Sequence, residues 1–158
     1  MSRYNAWQNK GLRKIVEAMD DDALREDRGA FFGSIFATLN HLLWGDQLWM
    51  SRFDGGDAPT VGIPESTAYK ANAVDWALAR FQTDARITTW ADGLHSVDLV
   101  GDLSWYSGAM QRDMVKSKQE CIVHFFNHQT HHRGQVHAML TAAGQKPTDT
   151  DIPFMPDT

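Results

Sequence analysis

Apolar residues recur at helical spacing in four stretches of this chain, separated by segments rich in Asp, Gly and Pro. The first runs from near residue 2 to residue 19, with Tyr4, Trp7, Gly11, Ile15 and Met19 on one stripe and charges opposite. Asp20, Asp21 and Asp22 end it, since adjacent carboxylates at a helix C-terminus oppose the macrodipole; EF-hand spacing is missing, so this run is a turn and not a calcium loop. The second stretch follows Ser34, a good N-cap, and continues to about residue 52 before Asp54-Gly55-Gly56-Asp57 stops it. It is apolar on most sides, through Ile35, Phe36, Leu39, Leu42, Leu43, Trp44, Leu48 and Trp49, as a helix enclosed by protein must be. The third is predicted over residues 66–90, with its stripe at Ala71, Val74, Leu78, Phe81 and Ala85. From residue 94 to 116 helical spacing is lost, which predicts a long irregular connection with room for a short hairpin. The fourth opens on Ser117-Lys118-Gln119-Glu120, a capping-box pattern, and closes at Gly144 with Pro147 beyond. Ile152, Phe154 and Met155 place the tail against the bundle.

Four such stripes bury one another in an all-α four-helix bundle, and 158 residues make one domain, 1–158. The short link over residues 20–33 favours antiparallel first and second helices, while the longer later links permit crossovers. A net charge of −5, with no helix carrying clustered Arg and Lys, argues against nucleic acid as a partner. No run of about 18 apolar residues exists and the start lacks the apolar core of a secretory signal, so no membrane association and a cytoplasmic location are expected. The lone Cys121 allows neither an internal disulfide nor a thiolate cage and reads as an inert small hydrophobe.

The chemistry lies in the histidines. Five of the seven fall between His124 and His137. Residues four apart on a helix sit one turn apart on one face, so His124/His128 and His128/His132 are candidate ion-sharing pairs. At about 100° per residue, Cys121, Phe125, Val136, Met139 and Leu140 define the buried stripe. His128 and His132 lie within roughly 60° of its middle, His124 and His131 farther out, and His137 faces away. A metal site needs at least a third ligand, and bundle sites draw ligands from facing helices. His41, in Asn40-His41-Leu42-Leu43-Trp44-Gly45-Asp46, is another histidine in a buried helical segment, whereas His95 falls in the loop region. The expected metal ligands are therefore His41, His128 and His132. Against this stand plainer readings: His41 as a satisfied core histidine, and Trp7, Trp44, Trp49 and Trp90 as packing and rim residues. Asp46 and Arg52 read as a solvated or salt-bridged face, Phe31-Phe32 as a staple or interface patch. Arg133 either grips a carboxylate or bridges helices.

The stretch from His124 to Val136, including His128-Gln129-Thr130-His131-His132-Arg133-Gly134-Gln135, resembles the signature helix of the DinB family. Leu39-Asn40-His41 with Asp46 and Leu48-Trp49 is similar to that family's second marked segment, and Tyr4-Asn5, Asn9 and Asp151-Ile152-Pro153 also fit, so the resemblance spans essentially the whole chain. It implies an up-down-down-up bundle, frequently a homodimer, with a divalent metal held by three histidines that map onto His41, His128 and His132. It also implies kinship with thiol-dependent transferases and isomerases that use mycothiol, bacillithiol or other low-molecular-weight thiols.

Three neutral nitrogens leave an ion's charge uncompensated and a coordination position open, the catalytic pattern. The leading expectation is a metal-dependent enzyme acting on a small electrophilic molecule, with a low-molecular-weight thiol or water as nucleophile. Zinc or nickel are the foremost metals, with manganese, iron or copper also suited to imidazole. The alternative is a stress-induced metal-binding bundle whose structural or storage metal performs no turnover. A third reading is a dimeric interaction module without metal. The catalytic base, the substrate and the thiol are not legible.

Overall fold

A computed structural model describes residues 1–157. The elements in chain order are α1 (Ser2–Ala18), α2 (Asp21–Arg25), α3 (Ile35–Asp54), α4 (Ala73–Asp92), a hairpin of β1 (Asp102–Ser107) and β2 (Arg112–Ser117), and α5 (Lys118–Ala142). The four long helices pack as a bundle, and their directions follow from the pairs that meet. Trp76 Nε1 donates to Leu39 O, Gln47 Nε2 to Thr83 Oγ1, and Arg86 to Asp54, so α3 and α4 run parallel. Asn5 and Asn9 reach Asp84 while Arg13 stacks over Phe81, so α1 opposes α4. Trp49 meets His124 and His41 meets His132, so α3 opposes α5. The order is up-down-down-up.

Parallel α3 and α4 require a long return, supplied by residues 55–72 with a 3-10 segment at Ile63–Ala68. Asn40, fully buried, fastens it: Nδ2 donates to Thr67 O and Lys70 O, and Oδ1 accepts from Lys70 N–H. That clasp corrects the expected start of the third helix. Residues 66–72 are held out of α-helix, and α4 begins after Asn72, whose side chain accepts from Asp75 N–H. The start of α5 also differs. Ser117 makes no side-chain cap; it pairs with Asp102 at the end of the hairpin, and Lys118 N–H donates to Gly101 O. The C-terminus is as expected: Gly144 takes φ +75°, its N–H donating to Thr141 O and Gln145 N–H to Leu140 O.

Two stripes face elsewhere than their apolar character suggested. On α4, Val74, Leu78 and Phe81 are exposed, and the buried side carries Trp76, Ala77, Ala79, Arg80, Thr83, Asp84 and Ile87. On α1, the buried side is Asn5, Gln8, Asn9, Leu12 and Val16, while the stripe of Trp7, Gly11 and Ile15 is half-buried beneath the tail. A Cβ at Gly11 would collide with Thr148, so the tail lies directly on that helix.

The reason is a polar layer at the centre of the bundle. Arg80, fully buried, donates Nη1 to Asp46 Oδ2 at 2.6 Å and places Nη2 2.9 Å from Asp84 Oδ1. Gln129 Nε2 donates to Asp46 Oδ1 at 3.0 Å, Asn5 and Asn9 donate to Asp84, and Arg133 donates to Asn5 Oδ1. Asp46 is thus a buried ion-pair partner, not a solvated residue. Arg52 forms no ion pair among the described residues; its guanidinium lies over Trp49 and Trp105. No helix among the described residues is long and apolar enough to cross a membrane.

Removing one partner of a buried ion pair strands the other. Asp46→Ala is expected to lower unfolding free energy by about 3–5 kcal/mol in urea titrations; a loss below about 1 kcal/mol, the ceiling for exposed pairs, would contradict the layer's role.

Candidate metal centre

His41 sits in the second turn of α3, and His128 and His132 one turn apart on α5. Because the two helices run antiparallel, the three rings meet. Ring centroids are 5.4 Å apart for His41–His128, 5.0 Å for His41–His132 and 4.5 Å for His128–His132. One nitrogen from each lies within 4.8 Å of the others, close enough to hold a metal ion. The expected trio is therefore brought together.

Neighbours fix two of the rings. His41 Nδ1 is 2.9 Å from Ser66 Oγ, and His132 Nδ1 is 2.8 Å from Gln135 Oε1. A carbonyl oxygen only accepts, so His132 carries its proton on Nδ1 and leaves the Nε2 lone pair free. Gln135 is steadied in turn by His131 Nε2 at 3.3 Å from its Nε2. The third ring is held by space. His128 packs on α3 at Gly45, where a Cβ would stand 3.0 Å from His128 Cε1. Its Nδ1 is buried with no hydrogen-bond partner among the described residues, an unmet group that costs about 1–3 kcal/mol.

Burial sets the protonation. Desolvation, then the nearby His132, lowers His41 to about 4; desolvation and the surrounding imidazoles lower His128 to about 3. His132 is lowered too, by desolvation, with the Gln135 bond opposing. All three rings are neutral near pH 7, the form that ligates metal. The orphaned nitrogen, the neutral rings and the anchored Nδ1 atoms all suit an all-imidazole ion site.

One side of the cluster is walled by Phe32, its ring 4.2 Å from His41 and 5.4 Å from His132. Phe31 alone faces solvent, at 82% exposure. On the other side His124 lies 5.8 Å from His128 and 5.0 Å from Trp49, which meets Trp105 of the hairpin. The remaining histidines stand apart: exposed His95 caps a turn, and His137 points at Thr148 O. Cys121 is buried with its thiol pushed up by desolvation, consistent with an inert role. Four residues escaped the sequence reading. Gln135 and Gly45 stand three and four residues from ligands, a helical spacing that could have flagged them; Ser66 and Phe32 come from connections and gave no signal.

Against known proteins, the family model described as DinB family matches residues 1–158. The chain belongs to the DinB family. It is also similar to Protein DinB of Bacillus subtilis (strain 168), with 23% identity over 152 residues that cover 94% of this chain and 87% of that protein. The three-histidine cluster of this DinB family member is thus a possible metal site, built on residues from α3 and α5.

Gly45→Ala tests the packing of His128. Alanine favours helix by about 1 kcal/mol, yet its methyl displaces the ring; metal affinity by titration calorimetry should fall about tenfold or more while thermal stability holds. Unchanged affinity would separate His128 from the backbone at this position. The metal-free protein should also lose stability in acid. Unfolded histidines protonate near 6.5, whereas His41 and His128 resist until about 4 and 3. Between these limits the unfolded chain binds more protons, so stability is intact above pH 6.5 and declines as pH falls toward 4. Urea midpoints should track that decline, and His41→Gln/His128→Gln should flatten it; an equal slope in the double variant would refute the assignment.

Proposed function

We propose that this protein is a metal-dependent enzyme in which His41, His128 and His132 hold a divalent cation, zinc or nickel foremost and manganese or iron as alternatives. The observation that carries the reading is the convergence of three neutral imidazoles with, among the described residues, no carboxylate in the group, beside a buried His128 nitrogen that has no partner among them. Such an ion is a Lewis acid that lowers the pKa of a bound water or thiol. The protein's own residues do the rest. Ser66 and Gln135 orient His41 and His132, Gly45 admits the His128 ring, and Phe32 screens one flank from solvent. His41 and His128 remain only half-buried, which leaves the cluster approachable, in keeping with turnover rather than a sealed structural site. The substrate class we assign is a small electrophile, with a low-molecular-weight thiol or water as the nucleophile.

Elemental analysis of untagged protein should find close to one divalent ion per chain, abolished in His128→Ala and in His132→Ala. The loaded protein should consume bacillithiol or mycothiol when offered a small epoxide or unsaturated carbonyl compound, and the variants should not. Stoichiometric metal in either variant would defeat the ligand assignment. A large fall in melting temperature on chelation, with no consumption of thiol and no hydrolysis of an activated ester, would replace the enzyme by a structural or storage metal protein.

A further inference from the structure

On the far side of α5 from the histidine cluster, a cavity of about 410 Å³ opens between α1, α5 and the C-terminal tail. Arg133 lines it, and Leu12, Ala138 and Pro147 supply an apolar wall. Thr130, Gly134 and His137, which also line it, fall roughly half a turn around the helix from His128. This is a separate compartment.

Arg133 is an unusual group to find there. It is only 7% exposed, yet it takes part in none of the ion pairs among the described residues. The carboxylates nearest in the layer are engaged elsewhere. Asp46 receives Arg80 and Gln129; Asp84 receives Asn5 and Asn9 and pairs with Arg80. Arg133 gives Nη1 to the amide oxygen of Asn5 and lies 5.5 Å from the centre of the Tyr4 ring, both neutral partners. Its other nitrogens make no hydrogen bond among the described residues, and unlike Arg80 Nε they are not sealed from solvent. A guanidinium presents donors in a fork that matches a carboxylate.

Two other polar groups around the cavity are occupied in building it. Tyr4 Oη donates to Thr150 O at 2.8 Å and Gln8 Nε2 to Asp149 O at 2.7 Å, which draws the tail across the opening. The remaining guanidinium nitrogens of Arg133 are thus free at a cavity whose lining includes the apolar Leu12, Ala138 and Pro147. We infer that this cavity binds a small monocarboxylate with an apolar body, its carboxylate on Arg133 and its body along Leu12, Ala138 and Pro147. The ligand supplies acceptors for the guanidinium nitrogens that no group among the described residues meets, and its body follows the apolar wall.

Benzoate is the probe and benzamide its neutral control, each titrated calorimetrically into the full-length protein with and without EDTA. Benzoate is expected to bind equally in both conditions, and benzamide about tenfold more weakly or worse, since a charge-assisted hydrogen bond is lost. Arg133→Gln should weaken benzoate by a similar factor. Because Arg133 also supports Asn5, a second variant leaves it untouched: Gly134→Leu, where an added Cβ meets nothing within 4 Å, fills the cavity from the helix side. It should abolish benzoate binding while helix content by circular dichroism and metal content stay at wild-type levels. The inference fails if benzoate does not bind, if benzamide binds equally, if EDTA or His128→Ala removes binding, or if Gly134→Leu, folded and metal-competent, binds benzoate normally.

Discussion

Arg80, held between Asp46 and Asp84 in the dry centre of the bundle, sets the register of everything around it. A buried guanidinium has few tolerable positions, because sliding α4 along α3 by one turn would strand a charge. The same carboxylate that receives Arg80 also receives Gln129 from α5. Asp46 follows Gly45, and Gln129 follows His128, so the contact that satisfies the ion pair also seats the His128 ring on α3. One turn on, His41 and His132 complete the cluster. The candidate metal centre is in this sense a neighbour of the polar layer, aligned by it.

Such a layer makes for an interior unlike the usual one. Asn5, Asn9, Asp46, Arg80, Asp84, Gln129 and Arg133 occupy positions that an ordinary bundle fills with Leu and Ile. Their hydrogen bonds are directional and mutually exclusive, so they favour one arrangement of helices where apolar side chains would accept several. A smaller apolar cluster of Met50, Ile87 and Phe125, with Trp49, Phe53, Trp90 and Phe126 packed on it, lies toward the hairpin end, while the larger apolar cluster fills the end near the C-terminus of α5. The polar residues lie between these two apolar clusters.

The same layer explains where the hydrophobic pattern misled. On α4, Val74, Leu78 and Phe81 form the most apolar stripe and yet face solvent, because Arg80 and Asp84 must be inside to meet Asp46, Asn5 and Asn9. On α1 the apolar stripe lies one face away from the buried one: Ile15 and Met19 pack on the edge of the apolar core, and the tail, a segment without helical periodicity of its own, lies over Gly11. Helix α3, apolar on almost every side, matches its apolar pattern closely, since burial there does not depend on choosing a face; its departures are the polar Asp46, which is buried, and Arg52, which lies over Trp49 and Trp105. Where a capping residue competed with tertiary contacts, the outcome was mixed: Gly144 ended α5 by its left-handed backbone, but Ser117 was claimed by the hairpin.

The chain's own pattern determined four long helices, their approximate ends and the two segments that carry the histidine cluster, because helical period and i, i+4 spacing are local properties carried by neighbouring residues. His128 and His132 share a face by that spacing alone. Tertiary structure decided which face of each helix turned inward, that Asp46 and Arg80 became interior partners, and that Ser66 and Phe32 arrived beside His41. Those outcomes depend on pairing between charges and hydrogen-bonding groups as far apart as Asp46 and Gln129, a satisfaction condition that no window along the sequence can evaluate.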